Sequence, residues 1–391
     1  MLKKITIESF KSLEDVEVEL GAVNVFVGAN GSGKSNLLEA IGVLSAAAAG
    51  RVDDEALMRR GVRPGLPQLY KCALRGTGQT PHIVFAAENE DASYKVSLFN
   101  PLKDPQPAWR YHTESWSSGD RELAGRSHRM KSKPNPEAGF AALKAVELPA
   151  DDPALSLLSL LRDYAIYEPN TPTLRGLIPE QQPREPLGLS GGGLPRAIRS
   201  LLHSSRRNEH IPERFQKFTD LIDWAQSVES ASDMLSLSPV TSRDVVKFVD
   251  RFMKKGRNTI SGADASEGAL YVLFAAMLVL DDRAPRLLAI DNADHGLNPR
   301  LVRALIGRIC DTVLSTPIPQ QLLLTSHSPQ MLDGLPLQND RVRLFTVSRT
   351  NTGRTVVRRV QLNDKLLKMA KEGWTLSRLW VMGHLGGVPN V

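Results

Sequence analysis

Hydrophobic and polar residues alternate with a period of two along the first part of the chain. The segments "LKKITIESF" and "VEVEL" flank the polar "KSLED" and predict an antiparallel pair of strands, and "VNVFVG" predicts a buried strand that leads into a glycine-rich turn. The period then becomes helical, with Leu37, Leu38, Ile41 and Leu44 on one face and Gly50 at the end of the run. The start of the chain therefore predicts a strand, a loop and a helix in succession.

The next part of the chain, between about residues 68 and 117, is rich in strand-like segments separated by Gly, Pro and Asn. These segments are "QLYKCALRG", "HIVFAAEN", "SYKVSLFN" and "WRYHTESW". We interpret them as a β-meander attached to the first unit. From about residue 118 to 137 the chain is polar and basic with few large apolar residues, which predicts an exposed and mobile loop.

A change of pattern between about residues 138 and 240 predicts helices. They are expected in "DPALSLLSLLRDYA", "LPRAIRSLLHSS" and "PERFQKFTDLIDWAQSV", joined by proline-rich stretches. We interpret this part as a helical insertion. The following "DVVKFVDRFMKK" fits a helix by the spacing of Val245, Phe248, Val249 and Phe252, but its β-branched and aromatic content favours a strand.

The final third alternates between helices and strands and ends in a predicted hairpin. The expected elements are helix "SEGALYVLFAAMLVL", strand "RLLAID", helix "PRLVRALIGRIC", strand "QLLLTS" and hairpin "VRLFTVSRTNTGRTVVRRVQL", turning near Asn351 to Gly353. The pattern predicts an α/β core divided into an N-terminal lobe (1–137), a helical insertion (138–240) and a C-terminal lobe (241–391).

Composition favours a soluble cytoplasmic protein without a membrane partner. The 391 residues are 41% hydrophobic, no apolar run reaches about 18 residues, and the N-terminus has no signal-peptide pattern. Cys72 and Cys310 have no nearby Cys or His at metal-binding spacing, so we expect both to be reduced core residues. The formal net charge of +6 is compatible with a polyanionic partner but does not select one.

The strongest chemical motif is "GANGSGKS", Gly28 to Ser35, which fits G-x-x-x-x-G-K-[ST] between a predicted strand and a predicted helix. Its glycines allow backbone N–H groups to face phosphates, and the helix N-terminus favours an anion. Lys34 is expected to reach the β- and γ-phosphates of ATP, and the Ser35 hydroxyl to bind Mg²⁺. The candidate nucleotide-binding residues here are Asn30, Gly31, Ser32, Gly33, Lys34, Ser35 and Asn36.

A second motif, "LLAID", ends in Asp291 after four apolar residues. A carboxylate at the end of a buried strand is able to hold Mg²⁺ beside Ser35. This pattern is weak alone, because many buried strands end in aspartate. Together with the P-loop it predicts a magnesium site formed by Ser35 and Asp291.

The order of these motifs resembles a known family. "VGANGSGKSNLLEAI", "ASEGALYVLFAAMLVLDD", "LLAIDNADHGLNPRL" and "LLLTSHSPQML" are similar to ABC-type ATPases of the SMC, RecF and OLD group, particularly compact AAA-family proteins of bacterial anti-phage and toxin systems. The resemblance implies an α/β ABC-type P-loop ATPase head with an N-terminal antiparallel β-lobe and a helical insertion. It also implies a homodimer or higher homo-oligomer formed through ATP, in which one chain's P-loop and the other chain's signature motif hold each nucleotide.

The resemblance assigns the signature motif to Ser266 and Gly268, which would contact the γ-phosphate of the partner's ATP. A serine hydroxyl at a helix N-terminus suits an anion. The segment "LSGGG" at Leu189 to Gly193 is closer to the transporter motif but lies much further ahead of Asp291, so we interpret it as unrelated to the signature.

The resemblance assigns roles to three further residues. His327 corresponds to a switch histidine near the γ-phosphate, and Asn298 to an interface loop, although Asn298 also fits a simple helix N-cap. Asn292 stands where the family has a glutamate that polarises water, and an amide cannot accept a proton. We expect slow or partner-triggered hydrolysis, with compensation by Asp294 or His327; an inactive site is the alternative.

These observations favour an ATP-operated sensor or clamp that controls a separate effector protein in anti-phage defence. The alternatives are an ATP-stabilised scaffold with little hydrolysis and a DNA-binding ATPase of the DNA-repair type. An OLD-type nuclease is not expected, because the sequence after residue 361 offers only Asp364 and Glu372 as acids, and a transporter ATPase fits poorly.

Basic clusters are the basis for considering non-specific DNA as a partner. They are "RSHRMKSK", Arg206 with Arg207, and "KKGR" at Lys254 to Arg257. Such clusters are more often solvated surface than binding sites, and no sequence-reading motif is present.

Overall fold

The described part of the chain contains three β-sheets and eleven α-helices. The structure is a computed structural model and describes residues 1–75, 78–127, 135–204, 210–231, 244–362, 366, 368–369 and 372–386. The strands are β1 (Lys4–Phe10), β2 (Leu13–Glu19), β3 (Val23–Val27), β4 (His82–Glu88), β5 (Ala92–Phe99), β6 (Arg110–Ser118), β7 (Arg121–Arg126), β8 (Ala165–Tyr167), β9 (Ala225–Ala231), β10 (Val245–Asp250), β11 (Thr259–Ser261), β12 (Leu287–Ile290), β13 (Gln321–Ser326), β14 (Val342–Arg349) and β15 (Thr355–Val360). The helices are α1 (Lys34–Ala48), α2 (Asp54–Met58), α3 (Pro67–Tyr70), α4 (Phe140–Lys144), α5 (Pro153–Arg162), α6 (Thr171–Leu174), α7 (Leu194–Ser204), α8 (His210–Thr219), α9 (Glu267–Leu280), α10 (Pro299–Ser315) and α11 (Leu376–Val381).

The N-terminal sheet is antiparallel and has the strand order β2-β1-β4-β5-β6-β7. In β1, Ile5 and Ile7 are buried while Lys4 and Thr6, which alternate with them, are only half-buried. This alternation is typical of a sheet with one face on the core and the other towards solvent. The predicted β1–β2 pair and most of the predicted meander are confirmed.

The central sheet has the order β15-β14-β3-β13-β12-β8, with β15 antiparallel and the other strands parallel. Every residue of β3, β12 and β13 is buried, as expected for parallel strands covered on both faces. Because these strands are parallel, β3, β13, β12 and β8 end at the same edge. The predicted P-loop and Asp291 follow β3 and β12, so both lie at this edge.

Helix α1 lies between the two larger sheets. It is buried on nearly all sides and contacts strands of both sheets, which explains why it is apolar beyond a single stripe. Phe26 of β3 stacks on Phe345 of β14 with ring centroids 4.9 Å apart. A second core packs α9 and α10 against the opposite face of the central sheet.

Three predictions of local structure were wrong. The segment "QLYKCALRG" is not a strand over its described residues, 68–75. Pro67 begins the short helix α3, and among these residues only Lys71 forms a β-bridge, to Phe10. The stretch 118–137 is not all loop, since Arg121–Arg126 pairs with β6; its predicted mobile part, residues 128–134, lies outside the described residues.

The region 138–240 is not a purely helical insertion. The apolar segment Ala165–Tyr167 completes the central sheet beside β12, and Ala225–Ala231 is a strand of a third, antiparallel sheet in the order β11-β10-β9. The segment "FTDLIDWAQSV" fits both a helical and a strand pattern. The predicted helix therefore extended beyond Thr219, where α8 ends, into β9. Strand β10 itself, favoured over a helix in the sequence, is confirmed.

The helices and hairpin of the final third form as predicted, with the hairpin β14–β15 turning at residues 350–354. Both cysteines are buried and free. Within the described ranges, no helix is both long and apolar enough to cross a membrane.

Candidate functional site

The segment Gly28–Ser35 connects β3 to α1 and forms the centre of the candidate site. Gly31 and Gly33 have φ angles of 73° and 108°, the left-handed region that glycine adopts most readily. Gly33 is the N-cap of α1, and the first turn of that helix contains no acidic residue. Backbone N–H groups at this helix end are therefore suited to an anion.

Lys34 folds back over this loop. Its Nζ donates hydrogen bonds to the carbonyl oxygens of Gly28 (2.8 Å) and Ala29 (3.0 Å) and lies 3.4 Å from His327 Nδ1. Burial lowers the pKa of Lys34 to about 8, while the carboxylates of Asp291 and Asp294 act in the opposite direction. The loop thus holds a buried cation beside two acidic residues.

Ser35 and Asp291 meet at the edge of the central sheet. Ser35 Oγ donates a 2.7 Å hydrogen bond to Asp291 Oδ2, and Thr325 Oγ1 donates to the other carboxylate oxygen. Asp291 directly follows β12, and its N–H donates to the carbonyl oxygen of Tyr167 at the end of β8. The two predicted magnesium ligands are therefore brought together by the parallel sheet.

Asn292 has a left-handed backbone, with a φ of 52°. Its N–H donates to Thr325 Oγ1 at 2.9 Å. Asparagine tolerates this region better than most residues, because its short polar side chain avoids part of the steric penalty. The position therefore has a conformational requirement in addition to any role in chemistry.

Asp294 and His327 are neighbours. Both carboxylate oxygens of Asp294 lie 3.4 Å from the backbone nitrogen of His327, which donates to them. Burial and the nearby Lys34 ammonium lower the pKa of His327, with Asp294 and Asp291 opposing. A neutral imidazole beside the P-loop follows from these surroundings at neutral pH.

The remaining P-loop residues differ in their surroundings. Asn30 and Gly31 are exposed, whereas Ser32 is buried and its Oγ has no hydrogen-bond partner within the described residues. Asn36 Nδ2 donates a 2.8 Å hydrogen bond to Ser12 Oγ, so this amide already has a protein partner. A buried hydroxyl without a partner is unfavourable, so Ser32 Oγ is suited to a hydrogen bond with a bound ligand.

The predicted signature residues lie at a different cavity, of about 580 Å³, which is lined by Ser266, Gly268, Asn298, Arg300 and Trp224 among others. We call it the Ser266 cavity. Ser266 caps α9, and its Oγ accepts the N–H of Ala269 at 3.4 Å. Asn298 caps α10 by accepting the N–H of Leu301 at 3.0 Å, which is the simple structural role considered for it. Both side chains sit at helix N-termini on one face of the molecule.

The "LSGGG" segment is organised by a neighbouring acid. The Glu180 carboxylate accepts the N–H groups of Ser190 (3.1 Å) and Gly192 (2.9 Å). Leu189 and Ser190 line a cavity of about 550 Å³ together with Asp291 and Asn292 of the same chain. We call this the Asp291 cavity. Leu189 and Ser190 of this segment are therefore part of the wall of a cavity in the same chain.

Sequence reasoning missed three ionisable residues of the Asp291 cavity: Arg63, Glu168 and His295. Desolvation in the cavity and the Asp291 carboxylate both raise the pKa of Glu168, while Arg63 and His295 oppose them. The signal was present, because "YAIYE" ends an apolar run with an acid as "LLAID" does. The short strand before Glu168 lies between helical patterns, so the hydrophobic periodicity did not indicate a strand there.

These residues fit a magnesium nucleotide. The Ser35 hydroxyl and the Asp291 carboxylate are oxygen ligands of the kind that Mg²⁺ prefers. The buried Ser32 hydroxyl lies in the loop that leads into the N-terminus of α1, where phosphate is favoured. Across the described residues, no group of three or more His, Cys, Asp or Glu side chains is arranged to hold a metal ion by itself. The site thus suits a cation that takes its other oxygens from phosphate and water.

Comparisons with known proteins found both sequence and structural matches. A family model described as "AAA domain, putative AbiEii toxin, Type IV TA system" matches residues 23–333, from β3 to the turn after β13. The DNA replication and repair protein RecF of Paenarthrobacter aurescens (strain TC1) is 42% identical over 67 residues. That match covers 17% of this chain and 17% of RecF. The chain therefore aligns with less than a fifth of the length of this relative.

Solved structures share the fold across almost the whole chain. The Smc head bound to the C-winged helix domain of ScpA has a TM-score of 0.56 at 14% identity, over 94% of this chain and 99% of that one. The Smc head with an extended coiled coil bound to the C-terminal domain of ScpA, from Pyrococcus furiosus, has a TM-score of 0.52 at 11% identity, over 95% and 98%. At these identities the likeness concerns the fold.

Proposed function

Because the chain belongs to the AAA domain family described with the putative AbiEii toxin, we propose that it binds and slowly hydrolyses ATP in an oligomer that controls a separate effector. Its ABC-type, SMC-like P-loop fold, expected from the sequence, is confirmed. The observation that carries the proposal is the 2.7 Å contact of Ser35 with Asp291, beside the P-loop lysine and next to Asn292.

Each P-loop residue has a distinct task in this proposal. Lys34 exchanges its two carbonyl contacts for the β- and γ-phosphates, and the N–H groups from Asn30 to Ser35 hold the phosphate oxygens. Ser35 and Asp291 would hold Mg²⁺. The chemistry that Mg²⁺ supplies when bound is neutralisation of charge on the phosphates.

Hydrolysis to ADP and phosphate is slow in this proposal because Asn292 has no basic oxygen comparable to a carboxylate. Its amide is able to orient a water molecule but not to take its proton. Asp294 holds the backbone of His327, and His327 lies beside Lys34, so both residues position the site. An ATP-bound state that lasts long before turnover suits a sensor.

Oligomerisation is proposed to occur through ATP. Ser266 and Gly268 at the N-terminus of α9, with Asn298 at the N-terminus of α10, offer two helix ends to the γ-phosphate of a second chain's nucleotide. The neighbouring Arg300 adds a cation to this surface. A homodimer or higher homo-oligomer would complete each site from two chains.

We propose control of a separate effector in anti-phage defence because the family description names a toxin–antitoxin system. The scaffold alternative, in which ATP is a structural ligand with little turnover, shares every binding contact and differs only in hydrolysis. Measuring turnover therefore separates the two.

A DNA-binding role of the repair type is the second candidate. RecF is named for DNA replication and repair, and Lys254, Lys255 and Arg257 are exposed together in the turn between β10 and β11. Contacts to phosphate backbone predict binding that weakens steeply between about 50 and about 200 mM salt. Affinity that is constant over this range would contradict this candidate. Arg206 and Arg207 lie outside the described residues, as do residues 128–134 of the basic loop.

The deciding experiment for hydrolysis compares phosphate release by the wild type with Asn292→Asp, Asn292→Glu and Lys34→Ala. Asn292→Asp keeps the shape and tolerates the left-handed backbone, whereas Asn292→Glu reaches further but adds strain of about 1 kcal/mol. Slow wild-type turnover, faster turnover with Glu and none with Lys34→Ala support the proposal. If the wild type, Asn292→Asp and Asn292→Glu all bind ATP but release no phosphate, the scaffold alternative is supported.

The matching experiment for assembly measures mass in solution with a non-hydrolysable ATP analogue. The wild type is expected to gain mass with the analogue, while Ser266→Arg, which places bulk and charge at the interface, stays at its nucleotide-free mass. Lys254→Ala in the β10–β11 turn is the control and should assemble as the wild type does. A wild type whose mass does not respond to the analogue contradicts assembly through ATP.

A further inference from the structure

Glu168 stands next to Asp291 at the edge of the central sheet. Strands β8 and β12 are parallel with Tyr167 paired to Ile290, so the next residues, Glu168 and Asp291, leave the sheet side by side. Neighbouring strands lie about 4.8 Å apart, which sets the scale of their separation. Both residues line the Asp291 cavity, together with Asn292. The cavity therefore contains a second carboxylate close to the one assigned to Mg²⁺.

The backbone around Glu168 is fixed on two sides. On one side, its N–H donates to the Leu189 carbonyl oxygen at 3.0 Å, and the N–H of Asn170 donates to the Ser190 carbonyl oxygen at 3.1 Å. On the other side, helix α9 holds the next residues: Tyr271 Oη donates to the Pro169 carbonyl oxygen at 2.7 Å.

One more contact extends this attachment to α9, because Thr171 Oγ1 donates to Glu267 at the start of that helix. A site residue held by such surroundings is preorganised rather than mobile. These hydrogen bonds involve the backbone of Glu168 and the residues that follow it. They fix the position of Glu168 without using its carboxylate.

The carboxylate of Glu168 is the unused acid of this region. Asp291 accepts hydrogen bonds from Ser35 and Thr325, and Asp294 accepts the backbone N–H of His327. Within the described residues the Glu168 side chain has neither a hydrogen bond nor an ion pair, and it is exposed to the cavity. A carboxylate accepts protons, which the amide of Asn292 cannot do.

We propose that Glu168 is the general base for ATP hydrolysis in this chain, replacing the carboxylate that position 292 lacks; this rests on the proposed ATPase function. One water O–H bond breaks and its proton moves to Glu168 Oε. The water oxygen forms a bond to the γ-phosphorus, and the bond from that phosphorus to the β–γ bridging oxygen breaks. Its electron pair leaves with ADP, and the proton on Glu168 passes to phosphate or solvent.

Glu168→Gln tests this role, because it keeps the shape and removes the basic oxygen. Turnover is expected to fall by about 100-fold or more, the usual contribution of general-base catalysis. The dissociation constant for a fluorescent ATP analogue in excess Mg²⁺ should stay within about threefold, a change of about 0.7 kcal/mol. Asp294→Asn is the matched comparison for the other acid, and its loss of turnover should be smaller.

The double variant Glu168→Gln, Asn292→Glu provides a rescue that a structural role would not give. Its turnover should rise well above that of Glu168→Gln, because a carboxylate is restored on the other side of Asp291. Turnover of Glu168→Gln within about threefold of the wild type would overturn the proposal. A need for about tenfold more Mg²⁺ to bind the analogue would also overturn it, since Glu168 would then be a metal ligand.

Failure of the proposed function gives different results. If the wild type binds the analogue but neither it nor Asn292→Glu releases phosphate, Glu168 is not a base and the scaffold reading stands. If the wild type does not bind the analogue at all, ATP binding itself fails, and the role of Glu168 fails with it.

Discussion

Thr355 lies directly against Gly33, so the hairpin near the end of the chain shapes the P-loop near its beginning. A Cβ atom on Gly33 would overlap Thr355 Oγ1. Oγ1 itself donates a hydrogen bond to the Ser32 carbonyl oxygen (2.8 Å) and accepts one from the Ser12 hydroxyl (2.7 Å). Gly28 is confined similarly, by the Val347 carbonyl oxygen. The loop is therefore held by tertiary contacts in addition to its own glycines.

Replacing Gly33 should damage nucleotide binding far more than replacing Gly31. Gly33→Ala combines a left-handed backbone with a clash against Thr355, whereas Gly31→Ala has open space around it and pays only the strain, about 1 to 2 kcal/mol. We expect Gly33→Ala to weaken binding of a fluorescent ATP analogue by more than about tenfold and Gly31→Ala by less. Equal losses in the two variants would show that the contact with Thr355 does not shape the loop.

The Thr355 hydroxyl should contribute to stability through its buried hydrogen bonds. Thr355→Val keeps the size of the side chain but leaves the Ser32 carbonyl and the Ser12 hydroxyl without this partner, so we expect a loss of about 1 to 3 kcal/mol in the free energy of unfolding. Thr355→Ser retains the hydroxyl and is the control. Denaturant unfolding of the three proteins measures the difference; a valine variant as stable as the serine variant would contradict the prediction.

How far the sequence predicts the site depends on how local each signal is. Lys34 and Asp291 were predictable, because a strand followed by a glycine-rich turn and a strand ending in an acid are patterns within a few residues. The 2.7 Å hydrogen bond from Ser35 Oγ to Asp291 Oδ2 follows from parallel strands ending at one edge of the sheet. The roles assigned to these residues remain predictions.

Glu168 and Thr355 were not predictable in this way. The three-residue strand before Glu168 lies among helical patterns and is recognised only by its pairing with β12. Thr355 acts on the P-loop through a contact between distant parts of the chain, for which a single sequence carries no periodic signal. The same limit explains why Ala225–Ala231 was read as the end of a helix.

Asp291→Asn should weaken the magnesium-dependent part of nucleotide binding. The amide keeps a hydrogen bond with Ser35 but loses the charge that Mg²⁺ prefers, so the Mg²⁺ concentration needed for half-maximal binding of the ATP analogue should rise at least on the order of tenfold. Titrating Mg²⁺ at fixed analogue measures this. In EDTA the variant and the wild type should bind alike, and a difference that persists there would point to damage of the loop instead.

Glu39 should be important for stability because it is a buried acid shared by two cations. Its side chain is 3% exposed and pairs with Lys11 and Arg63, and burial lowers the pKa of Lys11 while Glu39 opposes that shift. Glu39→Gln leaves the half-buried Lys11 without its counter-charge, so we expect a loss of about 3 kcal/mol in the free energy of unfolding.

The exposed pair Glu55–Arg59 provides the control for Glu39. Its side chains are 70% and 68% exposed, so Glu55→Gln should cost no more than about 0.5 kcal/mol. Denaturant unfolding of both variants gives the comparison. Similar small losses would mean that the Glu39 cluster is solvated in solution.

His327 should make the stability of the nucleotide-free protein depend on pH. Burial and Lys34 lower its pKa below the ordinary value of 6.5, so the unfolded chain binds more protons than the folded chain as the pH falls through that value. Stability from this residue is therefore present above pH 6.5 and is lost below it. The melting temperature of the wild type should fall more between about pH 7.5 and about pH 5.5 than that of His327→Gln, since the other histidines contribute equally to both proteins. Parallel curves would mean that His327 is as easily protonated in the fold as in the unfolded chain, and that the buried contact with Lys34 does not persist in solution.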